Sequence, residues 1–290
     1  MTETPACPVP DDLPAPPPAR RVARAQVRDG VVSDGVRAVP EETPVALTYN
    51  GTTHAVMMAS PTDIADFALG FSLTEGIVAA AAEIESLDVI VAGDGIEARM
   101  WIAPEKVARL AARRRALAGP TGCGLCGVES LAEAVKPAAR VTAARRFPAA
   151  DILGAMAALA PAQVLNHETR AVHGAAYFEP GAGLVALAED VGRHNALDKL
   201  VGKASRLGLN PAEGLLLLTS RVSIEMVQKA CVLGTGVIAA VSAPTSLAIR
   251  TAEAAGITLC AVVRADGFEI FTHPERIARA GQPERATHVA

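Results

Sequence analysis

Along the first half of the chain, short runs of alternating apolar and polar residues are broken by turn residues. Val45–Tyr49 and Thr52–Ala59 flank Asn50-Gly51, which suits a type I′ turn and predicts a hairpin. Ser60-Pro61-Thr62-Asp63 predicts a helix start with Ser60 as its cap and Pro61 in the first turn. That helix, Thr62–Glu75, is expected to stop at Gly76. Val89–Ala92 and Ile96–Ile102 around Gly93-Asp94-Gly95 predict a second hairpin. Another helix starts at Pro104 and runs through Arg113-Arg114-Arg115 to Gly119. Residues 30–118 therefore read as a small α+β domain.

After about residue 165 the pattern changes to strand-length apolar runs alternating with helical ones. The strands are expected at Ala175–Phe178, Leu184–Ala188, Leu215–Leu218, Val237–Val241, Ile257–Val263 and Glu269–Thr272. The helices are expected at Arg193–Arg206, Val222–Leu233 and Thr245–Ala255. Such alternation predicts a layered α/β domain. Cys231 falls in mid-helix and Cys260 in mid-strand, so both read as small core residues, as do Met226 and Phe268.

Composition changes this picture at the ends. Residues 1–29 are expected to be a disordered proline-rich tail, since seven prolines fall within the first 18 residues. Arg20, Arg21, Arg24 and Arg28 follow, and read as a solvated basic start to the fold rather than a binding arm. Cys7 in the tail is incidental. The 290 residues are 50% hydrophobic, enough for a sizeable core. A formal net charge of −4 argues against a general nucleic-acid binder. No apolar run approaches the length of a membrane span, and the N-terminus lacks the order of a signal peptide. A cytoplasmic, reducing setting is expected, in which unpaired cysteines are normal.

The densest chemistry lies at 119–127, Gly-Pro-Thr-Gly-Cys-Gly-Leu-Cys-Gly. Cys123 and Cys126 sit among glycines that permit φ > 0 and an exposed backbone. Val128–Val135 reads as helical, and a helix N-terminus favours the nucleophilic thiolate. A structural zinc site would need two further ligands, and Cys7, Cys231 and Cys260 are scattered singly. A zinc site completed by histidines, a redox pair, a sulfur relay through a persulfide and an inert loop remain as alternatives.

The strand-to-helix junctions carry the other candidates. Glu189-Asp190-Val191-Gly192-Arg193-His194-Asn195, Thr219-Ser220-Arg221 and Ser242-Ala243-Pro244-Thr245-Ser246 each enter a helix. In open α/β sheets ligands sit beyond the carboxyl ends of the strands, and helix N-termini bind phosphates. Hydroxyls, two arginines and a histidine there suit an anionic, nucleotide-like ligand. Ser220 and Thr245, taken alone, are better explained as helix caps.

These motifs resemble the FdhD family of sulfur carriers needed for formate dehydrogenase activity. The likeness rests on Gly122–Gly127, Glu189–Lys199, Ser220–Ser223, Ser242–Ala248 and Phe271–Arg276, and spans roughly residue 40 to the C-terminus. It implies a cytidine-deaminase-like layered α/β C-terminal domain over 119–290, cysteine loop included, beside the smaller N-terminal domain. It implies a cytoplasmic sulfurtransferase that takes sulfur from a cysteine desulfurase as a persulfide on Cys123. The sulfur then goes to a molybdenum or tungsten bis(molybdopterin guanine dinucleotide) cofactor, bound as substrate, before insertion into formate dehydrogenase. Cys126 accompanies Cys123 in the motif. The cofactor segment of the family maps onto Val262, Val263, Arg264, Ala265, Asp266 and Gly267, to which the junction reading adds Arg193 and His194. No metal is expected to be held by the protein itself, and a homodimer is compatible with the sequence. Zinc deaminases place His-x-Glu before Pro-Cys-x-x-Cys. Here His273-Pro274-Glu275 follows the cysteines and residue 122 is glycine, so that zinc site is not expected. A rival reading is a cofactor-binding chaperone whose thiols do no chemistry.

Overall fold

The computed structural model describes residues 15–116 and 138–278, without the side chains of 111–116. Residues 1–14 with Cys7, the cysteine loop with Cys123 and Cys126, the helix expected at Val128–Val135 and residues 279–290 lie outside the described residues. Among the described residues the fold is a mixed α/β one, with seven α helices, and the chain divides into two compact units. The first comprises residues 1–136, 163–173 and 188–207; the second comprises 137–162, 174–187 and 208–290.

The first unit holds a long hairpin of β1 (Ala19–Arg28) and β2 (Val31–Pro40), joined at Asp29-Gly30 with φ 51° and 78°. This corrects the tail reading: Ala19–Arg28 is a strand, because its Val and Ala residues alternate with arginines and pair with an equally alternating partner. Next come β3 (Thr43–Tyr49), β4 (Thr52–Ala59), β5 (Ile84–Ala92) and β6 (Gly95–Ile102), in the spatial order β4-β3-β6-β5. Both expected hairpins are present, the first turning at Asn50-Gly51 with φ 46° and 76°. The central strands β3 and β6 run parallel. Their alternate residues Val45, Leu47, Tyr49, Ile96, Ala98, Met100 and Ile102 form the core with Phe67 and Phe71 of α1 (Ile64–Thr74). Helix α2 (Pro104–Ala116) adds Val107 and Leu110.

Helix α1 begins later than expected. Its cap position is Asp63 in the left-handed region, and Ser60 caps nothing; Ser60 is wholly buried in a polar node described below. The first unit is completed by two helices from far along the chain, α4 (Val164–Thr169) and α5 (Arg193–Arg206). The boundary expected near 118 is therefore not a single cut, since α1 packs on α5 across more than a hundred residues of sequence.

The second unit is built on a six-stranded sheet of order β13-β12-β11-β10-β8-β9. Its strands are β8 (His173–Glu179), β9 (Gly183–Asp190), β10 (Leu215–Leu218), β11 (Val237–Ala240), β12 (Thr258–Arg264) and β13 (Gly267–Ile270). Strands β10, β11 and β12 are mutually parallel, whereas β8 and β13 are antiparallel to their neighbours. Every residue of Leu215–Leu218 and Val237–Ala240 is buried, as parallel strands covered on both faces require. Helices α6 (Ile224–Leu233) and α7 (Ser246–Ala255) are the crossovers between these strands. The Ala-rich helix α3 (Ala149–Ala162), in a stretch whose pattern predicts no element, packs Ile152, Ala155 and Leu159 against Leu215, Leu217, Val237 and Ala239. A short parallel pair joins β7 (Phe147–Pro148) to β14 (Ile277–Ala278). No helix among the described residues is long and apolar enough to cross a membrane.

Candidate functional site

In the second unit, parallel β10, β11 and β12 end at one edge of the sheet, and the loops that leave them are stitched together. The β10–α6 loop (Thr219–Ser223) meets the β11–α7 loop (Val241–Thr245) through a parallel bridge between Val222 and Pro244. The Thr245 N–H donates to Val222 O at 2.9 Å, and the Val241 N–H donates to Leu218 O at 3.0 Å. Arg264 closes the third side: its Nη1 donates to Val241 O at 2.6 Å and to Val263 O at 2.8 Å, while the guanidinium stays exposed. Two of the three expected junctions, Thr219–Arg221 and Ser242–Ser246, are thus brought to one edge within this unit together with the start of the family's cofactor segment at Val262–Arg264, whereas the third, Glu189–Asn195, belongs to the first unit.

The two helix starts at that edge differ. Thr245 caps α7, its Oγ1 accepting from the Ala248 N–H at 3.2 Å. Ser223 occupies the cap position of α6 without a side-chain cap bond, and its Oγ is buried with no hydrogen-bond partner. The start of α6 therefore lacks a side-chain cap, and a helix N-terminus favours an anionic acceptor. In the sequence Ser223 stands only at the end of the Ser220–Ser223 motif, with no role of its own. Thr219 is a strand lock, its Oγ1 accepting from the Gly174 N–H at 2.8 Å, and Ser220 Oγ donates to Arg221 O at 3.0 Å. Arg221 is exposed.

Val262 has φ +54°, a left-handed conformation that a β-branched residue adopts only under constraint. The constraint is a bulge in the β12–β13 pairing between Ala261 and Arg264. Val263 is core, Ala265 and Asp266 form the exposed two-residue loop, and Gly267 pairs with Arg264 at the start of β13. Of the six residues in this segment, Val262, Arg264, Ala265, Asp266 and Gly267 are accessible to a ligand in some part, whereas Val263 serves packing.

Arg193 and His194 belong to the first unit, where they open α5. Both are half-buried, and the Arg193 Nε is buried without a hydrogen-bond partner. His173 shares their surroundings: burial first, and then the charge of Arg193, hold its imidazole below the ordinary histidine range, with Asp190 opposing. His173 was not expected from sequence, where it is a lone histidine at a strand start.

The rest of the Asp190–Lys199 motif is structural. Asp190 is wholly buried; its Oδ2 accepts from Lys199 Nζ at 2.6 Å and from the Ser60 N–H at 2.9 Å. Its Oδ1 accepts from the Gly192 N–H at 2.7 Å and from Asn195 Nδ2 at 3.0 Å. Lys199, also wholly buried, donates to Ser60 O at 2.9 Å, and the Val191 N–H donates to Ser60 Oγ at 3.2 Å. Burial pushes the Lys199 ammonium below its usual range, while Asp190 pulls the other way. Thus Asp190 fixes the turn that presents Arg193 and His194, and Asn195 is tied to it rather than turned outward. A charged pair inside the otherwise apolar stripe Leu197, Leu200, Val201 was the available signal.

Neither described cysteine is a reagent. Cys231 and Cys260 are buried, and burial pushes their thiols up to about 11 and about 12.

The FdhD/NarQ family model matches residues 40–278. The chain is 53% identical to the sulfur carrier protein FdhD of Agrobacterium fabrum, over 89% of this chain and 96% of that protein. It is 56% identical to the protein of that name from Brucella abortus, over 83% of this chain and 90% of the relative. The crystal structure of a candidate formate dehydrogenase accessory protein from Desulfotalea psychrophila superposes with a TM-score of 0.70 at 26% identity, covering 90% of this chain and all of that one. The chain belongs to the FdhD/NarQ family.

Proposed function

We propose that this protein is a sulfur carrier that serves a formate dehydrogenase, with Cys123 as the sulfur-bearing residue. What carries the reading is the extended likeness to proteins named sulfur carrier, in a chain whose sequence sets two cysteines among glycines at 122–127. In the first step the Cys123 thiolate attacks the outer sulfur of a donor persulfide on a cysteine desulfurase. The donor S–S bond breaks, a new S–S bond forms on Cys123, and the donor cysteine leaves as its thiolate. The substrate that receives the sulfur is a molybdenum or tungsten bis-pterin guanine dinucleotide. Its guanine nucleotide end suits the strand-end edge of the second unit: the start of α6 lacks a side-chain cap and holds the buried, unbonded Ser223 Oγ, with Arg221 and Arg264 exposed on the loops of the same edge. Arg193 and His194 are assigned to the same substrate.

Incubation with a cysteine desulfurase and cysteine should add one sulfur mass to the wild type, mapped to the 119–127 peptide, and none there to Cys123→Ala. Equal gain in both proteins would remove Cys123 from the role. Calorimetry with GDP should show binding that Arg264→Ala weakens and Cys123→Ala leaves intact. A Cys123→Ala protein that still restores formate dehydrogenase would favour the chaperone instead.

A further inference from the structure

The β1–β2 hairpin is paired without a break from Ala19↔Pro40 at its base to Arg28↔Val31 at its tip. Alternate side chains of a strand share a face, so Arg20, Arg24 and Arg28 lie together, and Arg37, opposite Val22, joins them. At the base these guanidinium groups are taken. Arg20 pairs with Glu41, and Arg37 Nη2 donates to Thr169 O at 3.2 Å. Towards the tip they are not. Arg24 and Arg28 are exposed and, among the described residues, make no ion pair or side-chain hydrogen bond. Gly35 stands opposite Arg24, and a Cβ there would lie 3.9 Å from the Arg24 Nε and Nη2, so that guanidinium reaches across β2. The arm's own carboxylates point elsewhere: Asp29 is in the turn, and Asp34, opposite Ala25, is on the other face. This placement on one face of a strand is what the run of arginines does not show in the sequence.

We propose that the tip half of this arginine face docks an extended, acidic segment of a partner protein. The chemistry is already present at the base of the same face, where Glu41 neutralises Arg20. A carboxylate and a guanidinium form charge-assisted hydrogen bonds of defined geometry, which a small ion does not need. Spacing selects the form of the partner. Arg24 and Arg28 are four strand residues apart, about 14 Å. An extended segment with acids four residues apart has the same repeat and the same facing side. A helix returns to one face after seven or eleven residues, about 10.5 or about 16.5 Å, and falls out of step with the two arginines. Midway, Gln26 and Ser33 face the partner with polar groups that suit a small polar residue between the two acids. Nucleic acid fits less well. Its charges recur every ~3.4 Å along a strand, the arm has no aromatic residue for a base to stack on, and the chain carries a formal net charge of −4.

Fluorescence anisotropy with the full chain tests this, the probe being a labelled threonine peptide with glutamate at every fourth position. The wild type should bind it, more weakly as salt rises. Arg24→Glu and Arg28→Glu should each weaken binding at least about tenfold, since close charge pairs set interface specificity, with native circular dichroism in both. Arg21→Glu, on the other face, should change it less than about threefold. The double variant R24E/R28E should instead take the peptide with lysine in place of glutamate, which the wild type should refuse. A wild type that ignores the glutamate peptide overturns the proposal, as does a loss in Arg21→Glu equal to that in Arg24→Glu. A peptide of the same composition with adjacent glutamates that binds equally well would reduce the face to an unselective basic patch. A single-stranded DNA oligonucleotide of equal charge bound more tightly than the peptide would give the arm to nucleic acid and overturn the proposal as well.

Discussion

At Val262 the backbone carries a cost that the side chain cannot justify. An L-residue in the left-handed region loses roughly 1–2 kcal/mol, and a β-branched one is the worst fitted to it. Glycine would sit there freely, so Val262→Gly should raise the unfolding free energy by up to about 1 kcal/mol in chemical denaturation. If the strain holds the loop for its ligand, the same variant should bind GDP more weakly; a stabilised protein with unchanged GDP affinity would show the strain to be idle. His173 gives a second residue-scale outcome. Its folded-state titration lies below the unfolded one, so above pH ~6.5 neither state binds the proton and no penalty exists. Below that, the unfolded chain binds it first, and stability falls as pH falls. Urea midpoints at pH 7.5 and 5.5 should differ more for the wild type than for His173→Gln. His173 was not legible as special in the sequence, and Val262 only as one member of the mapped segment, not for its backbone. A valine in a run of valines and a histidine at a strand start carry no mark; backbone geometry and a neighbouring arginine make them unusual.

Among elements, the crossing of α1 and α5 is the tightest. A Cβ placed on Gly70 would lie 1.7 Å from Asp198 O, and one on Gly202 would lie 1.9 Å from Asp66 O. The two backbones touch, and Arg206 grips Asp66 with bonds of 2.8 and 3.0 Å while Thr74 Oγ1 donates to Asp198 Oδ1 at 2.6 Å. No rotamer relieves a backbone clash, so Gly70→Ala or Gly202→Ala should cost about 3 kcal/mol or more, read as a fall in the thermal midpoint. A loss under about 1 kcal/mol would mean that the helices can part cheaply. The elements themselves were well marked in the sequence. Helix Arg193–Arg206 and strand Leu215–Leu218 fall where periodicity puts them, because a buried parallel strand and an amphipathic helix each have one simple pattern. The hairpin arm β1 was hidden by the prolines before it, and α3 by an alanine-rich run with weak contrast between its faces. Ser60 misled because a capping sequence and a buried hydroxyl node look alike until Asp190 is placed.

For the whole molecule, the chain order and the spatial order disagree. The first unit is begun at its N-terminus and finished by residues 163–173 and 188–207, after the chain has built part of the second. Long-range pairing of this kind is invisible to any local pattern, which is why the sequence suggested one boundary near 118. A fragment ending at residue 136 lacks α5, so it leaves the α1 face uncovered. It should bind a hydrophobic dye and lose its near-ultraviolet dichroism while keeping strand signal. A cooperative, dye-free fragment would show that α5 is dispensable to the first unit.

The same interleaving bears on how such chains can be recombined. Between two relatives, a single crossover anywhere from residue 75 to residue 192 joins one parent's α1 to the other parent's α5. The glycine-to-backbone contact tolerates no mismatch in either helix, so viable chimaeras should carry both helices from one parent. Inheritance in this protein is thus expected to follow the contact rather than the chain, with two exchanges needed where one would serve an ordinary pair of domains.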